Sequence, residues 1–229
     1  MKILAVAAEA LELKPWLRRC RSVEKLAWPV PFARMARWGE ATLFAVANGA
    51  GPRLSAKAVE IAVRGAGPFD GLMSVGLCGA LDLALPLRAV CTASAVGDGE
   101  STWPARGLPG GSVRRLLSID RFLGEPEEKR QWAERGFGIV EMEAAAVAQY
   151  AAAHGLPFSA VKVVSDRADE RFAIDFNRYR DADGRFSRGR IALAAAAHPI
   201  RYVPDLIRMA SRGPSASETL GVFLAQSRF

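Results

Sequence analysis

Two short segments place acids where the surrounding sequence is too apolar to hold them without partners. In the first, Ser165-Asp166 ends the apolar run SAVKVVS, and Asp169-Glu170 follow just after. A carboxylic acid at the end of a buried strand is placed for proton transfer. The same position serves equally as an N-cap for a following helix, a role Asp often fills. In the second, Glu141 and Glu143 flank Met142 within the otherwise apolar IVEMEAAAVA. A buried carboxylate needs hydrogen-bond donors, because an unpaired buried charge is costly. Ribose hydroxyls are suitable donors, and one carboxylate can accept from both the 2′ and 3′ positions. A helix N-terminus, whose dipole favours acids, accounts for one of these glutamates more readily than for two. Two glycine-rich stretches, Asn48-Gly49-Ala50-Gly51 and Gly76-Leu77-Cys78-Gly79, let backbone amides approach a ligand or simply make tight strand-to-helix turns. His154 and His198 are far apart, with no acid or Cys at ligand spacing. They read as helix-end or surface residues, and neither a metal nor a cofactor is expected.

The elements that must position these residues follow from periodicity. Short apolar runs alternate with helix-like stretches, as in βαβ units. Strands are expected at Ile3–Ala7, Ala41–Ala47, Leu72–Val75, Arg88–Ala95 and Phe158–Val164, with a shorter apolar run at Phe137–Val140. Helices are expected at Glu9–Arg19, Leu54–Val63 and Glu141–Tyr150, the last extended by Ala151–Ala153. The Gly- and Pro-rich stretch from Asp98 to Gly111 reads as a loop. From Ser187 onward the chain reads as helices broken at Pro199, Pro204 and Gly213-Pro214. The fold class is therefore α/β, a three-layer α/β/α arrangement with a central, mainly parallel, twisted sheet. No repeat or low-complexity linker divides the chain, so residues 1–229 read as a single domain with a helical C-terminal extension from about 187. Ligands of such sheets sit at the carboxyl ends of strands. Asn48–Gly51, Gly76–Gly79, Glu141–Glu143 and Ser165-Asp166 each follow a strand-like run and converge there.

Composition narrows the class. Half of the 229 residues are hydrophobic and 24% are charged, which suits a globular core that needs no metal or disulfide. Three cysteines, Cys20, Cys78 and Cys91, make no disulfide framework and no CxxC pair, so a reducing, cytoplasmic setting is expected. MKILAVAAEA reads as a first strand rather than a signal peptide. No run is long and apolar enough for a membrane span. The net charge of +7 reads as a solvated basic face, since no nucleic-acid-binding pattern accompanies it.

Taken together, these segments resemble the nucleoside phosphorylase / methylthioadenosine–adenosylhomocysteine nucleosidase family over most of residues 1–180. VEMEAAAVAQY at 140–150 looks like the family's V-E-M-E-[AST]-A-A-[VI]-A segment. VKVVSDRAD at 161–169 looks like its [RK]-x-[IV]-S-D-x-A-D segment. The first strand with Ala8 and Glu12, the glycine pairs and SIDRFLGEPEEK at 118–129 are supporting matches, and DFNRYRDADGRF resembles a bacterial branch called hopanoid-associated phosphorylases. The resemblance implies roles. Asp166 corresponds to the acid that protonates the departing purine, and Ser165 to the neighbour that holds the purine edge. Glu143 corresponds to the carboxylate on the ribose hydroxyls, Met142 to the residue under the sugar, and Phe122 to the aromatic on the base. Glu12 falls where nucleosidases carry a water-activating glutamate, with Glu9 close enough to compete. Glu141, Gly76 and Gly49 complete the candidate substrate-binding set.

Those roles fit the chemistry. A purine leaves poorly until N7 is protonated, and the transition state is oxocarbenium-like, with an acid on the base in the part played by an acid on oxygen in glycoside hydrolysis. A partly dry pocket would let Asp166 hold the proton it must give. Against phosphate as nucleophile stand Ser74, where a phosphorylase typically has arginine, and Leu77, where many members have serine; Arg53 is the one candidate to compensate. Hydrolysis of a purine nucleoside, a 5′-modified adenosine, is the expected activity. A phosphate-dependent phosphorylase and a non-catalytic purine-binding module are the alternatives. A homo-oligomer, most simply a dimer, is expected.

Overall fold

The structure, a computed structural model, describes residues 1–228. Phe229, the last residue of the expected extension, lies outside the described residues. Strand β1 (Lys2–Ala7), helix α1 (Ala10–Leu17) and strands β2 (Arg21–Lys25), β3 (Phe32–Trp38) and β4 (Ala41–Ala47) open the chain. Helix α2 (Pro52–Ala66), strands β5 (Gly71–Ala80), β6 (Val90–Gly97), β7 (Thr102–Pro104) and β8 (Ser112–Ser118), and helix α3 (Pro126–Glu134) follow. Strand β9 (Ile139–Glu141), helix α4 (Ala144–Ala153), strand β10 (Phe158–Asp166) and helices α5 (Arg188–Ala197) and α6 (Pro199–Gln226) complete it.

The three layers come from side-chain alternation along the central strands. In β1, Ile3, Ala5 and Ala7 join a core with Leu13 and Trp16 of α1 and Ala216, Leu220 and Leu224 of α6. Leu4 and Val6, one residue out of phase, join the opposite core with Ala58, Val59 and Ala62 of α2 and Val147, Ala148 and Ala151 of α4. Both faces of the sheet are thus covered, as the unbroken apolar runs imply.

The sheet is mixed rather than mainly parallel. Among the described residues, β1–β4, β1–β5, β5–β10, β6–β8 and β8–β9 pair in parallel, whereas β2–β3, β3–β4, β5–β9, β6–β7 and β6–β10 pair antiparallel. Pairings β5–β10, β10–β6, β6–β8, β8–β9 and β9–β5 close on themselves, so one half of the sheet curls into a small barrel. Strand β5 makes this possible by pairing with β1 through Gly71–Ser74 and with β9 through Gly79-Ala80.

Several expected boundaries move. Gly76–Gly79 do not turn the chain; they lie inside β5, where Gly76 takes φ +147°, a conformation side chains disfavour. The stretch read as a loop from Asp98 to Gly111 contains β7, a short strand on β6. Helix α4 starts at Ala144 rather than Glu141, because Glu141 still belongs to β9. Pro204 and Pro214 lie within the continuous α6, whereas the break falls at His198 before Pro199. Pro199 suits a first turn, where its missing N–H is not needed. For the two internal prolines, the burial of Gly213, Ala216, Leu220 and Leu224 outweighs the lost backbone bonds. No helix among the described residues is long and apolar enough to cross a membrane.

Candidate functional site

The carboxyl ends of the parallel strands β5 and β10 lie side by side, and the short β9 pairs antiparallel with the last residues of β5. In β10 the register with β5 slips between Val164 and Asp166, leaving Ser165 as the extra residue of a bulge. Bulges of this kind re-aim side chains. Here the slip sets Asp166 opposite Gly79, where a Cβ would lie 2.8 Å from Asp166 Oδ2. Ser165 Oγ bridges the Cys78 carbonyl at 3.1 Å and Asp166 Oδ1 at 3.0 Å. Asp166 Oδ2 accepts from Lys129 Nζ of α3 at 2.5 Å, and that Nζ also donates to the Arg167 carbonyl at 2.7 Å. Lys129 has no exposed surface at all.

Glu143 is the residue before α4 and is buried. Its Oε1 accepts the Gly51 amide at 2.9 Å. Burial, reinforced by the neighbouring Glu141 carboxylate, pushes Glu143 up to about 8. Glu12 is buried too, accepting the Leu77 amide at 2.8 Å and the Glu9 amide at 2.7 Å. Burial raises Glu12 above the ordinary carboxylate value, against the opposing pull of those amides and of Lys162. A base raised in this way is better matched to taking a proton from water near neutral pH. Glu9, its competitor, stands at the surface in a pair with Arg188.

Asp166 lines a cavity together with Leu77, Phe122, Ser165 and Phe172, closed on one side by Arg208, Met209, Arg212 and Gly213 of α6. Phe122 packs edge-to-face on Phe172 at 5.0 Å and on Phe176 at 5.2 Å. Its backbone exchanges two hydrogen bonds with Asn177, N–H to Oδ1 at 2.8 Å and carbonyl from Nδ2 at 2.9 Å. Met142 is buried between Glu141 and Glu143.

Three of the expected binding residues, Glu141, Gly49 and Gly76, have partners within the protein. The Glu141 carboxylate caps α4 by accepting the Glu143 and Ala144 amides at 3.1 and 3.0 Å, and it pairs with Lys162 Nζ at 2.7 Å. Burial alone would raise Glu141, but the Lys162 ammonium reverses this and holds it below the ordinary value. Gly49 is covered: its amide donates to the Ala8 carbonyl at 2.9 Å, and Arg185 Nη1 and Leu54 fill the space where a side chain would sit. Gly76 makes room for Glu12, whose Oε1 occupies the position a Cβ would need. Gly51 thus gives its amide to Glu143, while Leu77 gives its amide and Gly76 its space to Glu12.

The candidate phosphate ligands are also committed. Ser74 is buried and accepts from Lys162 Nζ at 2.9 Å. Arg53 points outward to Asp183 Oδ1 and the Ala182 carbonyl, both at 2.9 Å. Asp169 pairs with Arg167 at the surface at 2.9 Å. His154 caps α4, with Nδ1 2.8 Å from the Tyr150 carbonyl, and His198 separates α5 from α6. Sequence reasoning missed Lys129 and Lys162. Lys162 stands in an apolar run and was open to notice as a buried cation; Lys129, within EPEEKR, looks like any surface lysine.

A model of the phosphorylase superfamily matches residues 111–195, a stretch containing Phe122, Lys129, Glu141–Glu143 and Ser165-Asp166 but not Glu12. The chain is 31% identical over 117 residues to a 5′-methylthioadenosine/S-adenosylhomocysteine nucleosidase from Mycobacterium bovis. That match covers 48% of this chain and 43%, less than half, of the relative's length. Among solved structures, the nucleosidase of that name from S. pneumoniae, bound to a transition-state inhibitor, is similar over 98% of this chain and 97% of its own, with a TM-score of 0.75 at 17% identity. Futalosine hydrolase of Helicobacter pylori is similar over 98% and 95%, with a TM-score of 0.70 at 16% identity. At such identities the likeness concerns the fold.

Proposed function

We propose, from the match of residues 111–195 to the phosphorylase superfamily, that this chain hydrolyses the N-glycosidic bond of a purine nucleoside, a 5′-modified adenosine, and releases the base. The observation that carries this reading is that Asp166 at the end of β10, Glu143 just after β9 and Glu12 of α1, which reaches the Leu77 amide of β5, are each buried and each held by named hydrogen bonds. A purine-binding module would need contacts for base and sugar; it would have no use for a third buried carboxylate, Glu12, facing the sugar carboxylate.

In this reading the purine lies between Phe122 and the Ser165-Asp166 bulge, and Asp166 passes a proton to N7 as the bond to C1′ breaks. Glu143 holds the ribose hydroxyls while the ring flattens, with Met142 beneath it. Glu12 takes the proton of the attacking water. Water rather than phosphate is favoured because Ser74 is committed to Lys162 and Arg53 to Asp183, while Leu77 supplies no donor side chain. The relative from M. bovis and the two structural neighbours named above are also described as nucleosidases or a hydrolase. The 5′ substituent is the open variable of the substrate. One domain whose C-terminal helices close the cleft, assembled as a homodimer in a reducing cytoplasm that suits Cys20, Cys78 and Cys91, completes the proposal.

The test is a panel of adenosine derivatives (unmodified, 5′-methylthio, 5′-homocysteinyl and 5′-alkyl), each with and without phosphate, read by released adenine. Release from one or more members without phosphate supports the reading. Tight binding with no release from any member would favour the binding module instead.

A further inference from the structure

Lys129 is a long cation with no contact with water, four residues after Glu125 at the start of α3. Taking an ammonium out of water costs several kcal/mol, and a site that needed only volume would be filled better by Met or Leu. The lysine is spent on two oxygens: Asp166 Oδ2 at 2.5 Å and the Arg167 carbonyl at 2.7 Å. The other Asp166 oxygen accepts the Ser165 hydroxyl at 3.0 Å. Held this way, the Asp166 carboxyl has the proton-bearing nitrogen of Lys129 2.5 Å from one of its oxygens. A departing purine needs a proton at N7, which a carboxylate by itself does not carry.

Building on the nucleosidase reading above, we infer that the Lys129 ammonium stores the proton that Asp166 delivers to the leaving purine. A proton of Lys129 passes to Asp166 and from Asp166 on to N7 as the electron pair of the C1′–N9 bond goes to the purine, which leaves Lys129 a neutral amine. Water bonds to C1′ and gives its proton to Glu12. After the products leave, Glu12 returns that proton to solvent and Lys129 regains one, so Asp166 ends as it began. Lys129 touches no substrate. It acts through Asp166, and the Arg167 carbonyl and Ser165 hydroxyl keep the pair in line.

Two variants separate a proton store from a structural cation. Lys129→Arg keeps the charge, but a guanidinium does not give up its proton. Lys129→Met keeps the volume and removes both. Each is assayed on the adenosine derivative the wild type cleaves and on a 4-nitrophenyl riboside with the same 5′ group, whose nitrophenolate leaves without a proton. Both variants are expected to lose about 10²-fold or more in kcat on the adenosine substrate, the scale of a lost general acid, and less than about fivefold on the nitrophenyl riboside. Near wild-type turnover of the adenosine substrate by Lys129→Arg overturns the inference, as does an equal loss on both substrates. Should Lys129→Met fail to fold, the arginine variant decides. The wild type supplies a further check: the Asp166 carboxyl ¹³C resonance at neutral pH, assigned by its absence in Asp166→Asn, is expected at the position of an ionised carboxylate. A protonated position rules the store out. A wild type inert toward every nucleoside would instead bring down the nucleosidase reading, whereas an active wild type matched by Lys129→Arg brings down the store alone.

Discussion

Asp166 and Asp169 stand three positions apart and differ in everything their surroundings impose. Asp166 is buried against Lys129, while Asp169 shares an exposed pair with Arg167. Asn has nearly the size of Asp but no proton to pass, so Asp166→Asn should lower kcat by roughly 10²–10⁴. It also strips a buried ammonium of its counter-ion, so a lower melting temperature should accompany the loss. Asp169→Asn should change turnover by no more than about threefold, since an exposed ion pair contributes little. Steady-state assays with a melting curve for each variant check both; normal turnover in Asp166→Asn with loss in Asp169→Asn would mean the site is misplaced. Glu143 makes a second prediction through pH. Its folded value is about 8 against an ordinary 4.5, so its stabilising contribution is complete below about pH 4.5 and is lost as pH rises through 8. The wild type should therefore lose stability across that window. Glu143→Gln, which can still accept the Gly51 amide, should lose less, by on the order of a few kcal/mol, given about 1.4 kcal/mol per pKa unit. Urea denaturation of both proteins at pH 5 and pH 8 measures the difference, and parallel losses would refute it.

At the scale of elements, helices and strands bring these side chains together by approaching more closely than the sequence suggests. Helices α1 and α6 meet at Gly221, where a Cβ would lie 2.5 Å from Pro15 Cβ and 2.6 Å from the Trp16 nitrogen. Because those contacts are largely backbone and proline ring, they cannot swing aside. Gly221→Ala should cost roughly 1–3 kcal/mol, a fall of about 3–10 °C in Tm. Gly189, in α5, has nothing within 4 Å of its missing side chain. Gly189→Ala should leave Tm unchanged or raise it slightly, by helix propensity. An equal drop in both would mean that the α1–α6 contact is not what Gly221 serves. α6 also carries Arg208, Met209, Arg212 and Gly213 to the cavity, and Arg212 is tied to Glu170 at 2.6 Å. Shifting α6 against α1 should therefore raise KM as well as lower Tm.

For the whole molecule, the predictions concern the nucleophile and assembly. With Arg53 and Ser74 committed elsewhere, adding phosphate should change the rate by less than about twofold, and the sugar product should be the free 5′-modified ribose. Phosphate-dependent formation of the 1-phosphate would overturn this. A homodimer is expected by light scattering at micromolar concentration, and a monomer would count against it. The amino-acid sequence by itself determined the α/β class, the covered sheet, the central strands β1, β4 and β10, and the segments that carry Asp166, Glu143 and Glu12. These are local matters: apolar runs of strand length, helical spacing and acids set in apolar surroundings are all visible along the chain. Only the tertiary structure decided that the sheet curls into a barrel, because that depends on β5 changing partners halfway along its length and on β10 meeting β6 antiparallel. It decided which glutamate is paired with a cation, since Glu141 and Glu143 look alike in sequence and are parted by a lysine 21 positions beyond Glu141. And it decided that Lys129 is buried. Nothing in EPEEKR marks that lysine, because its burial comes from the strand end it meets 37 residues later, not from its neighbours in the chain.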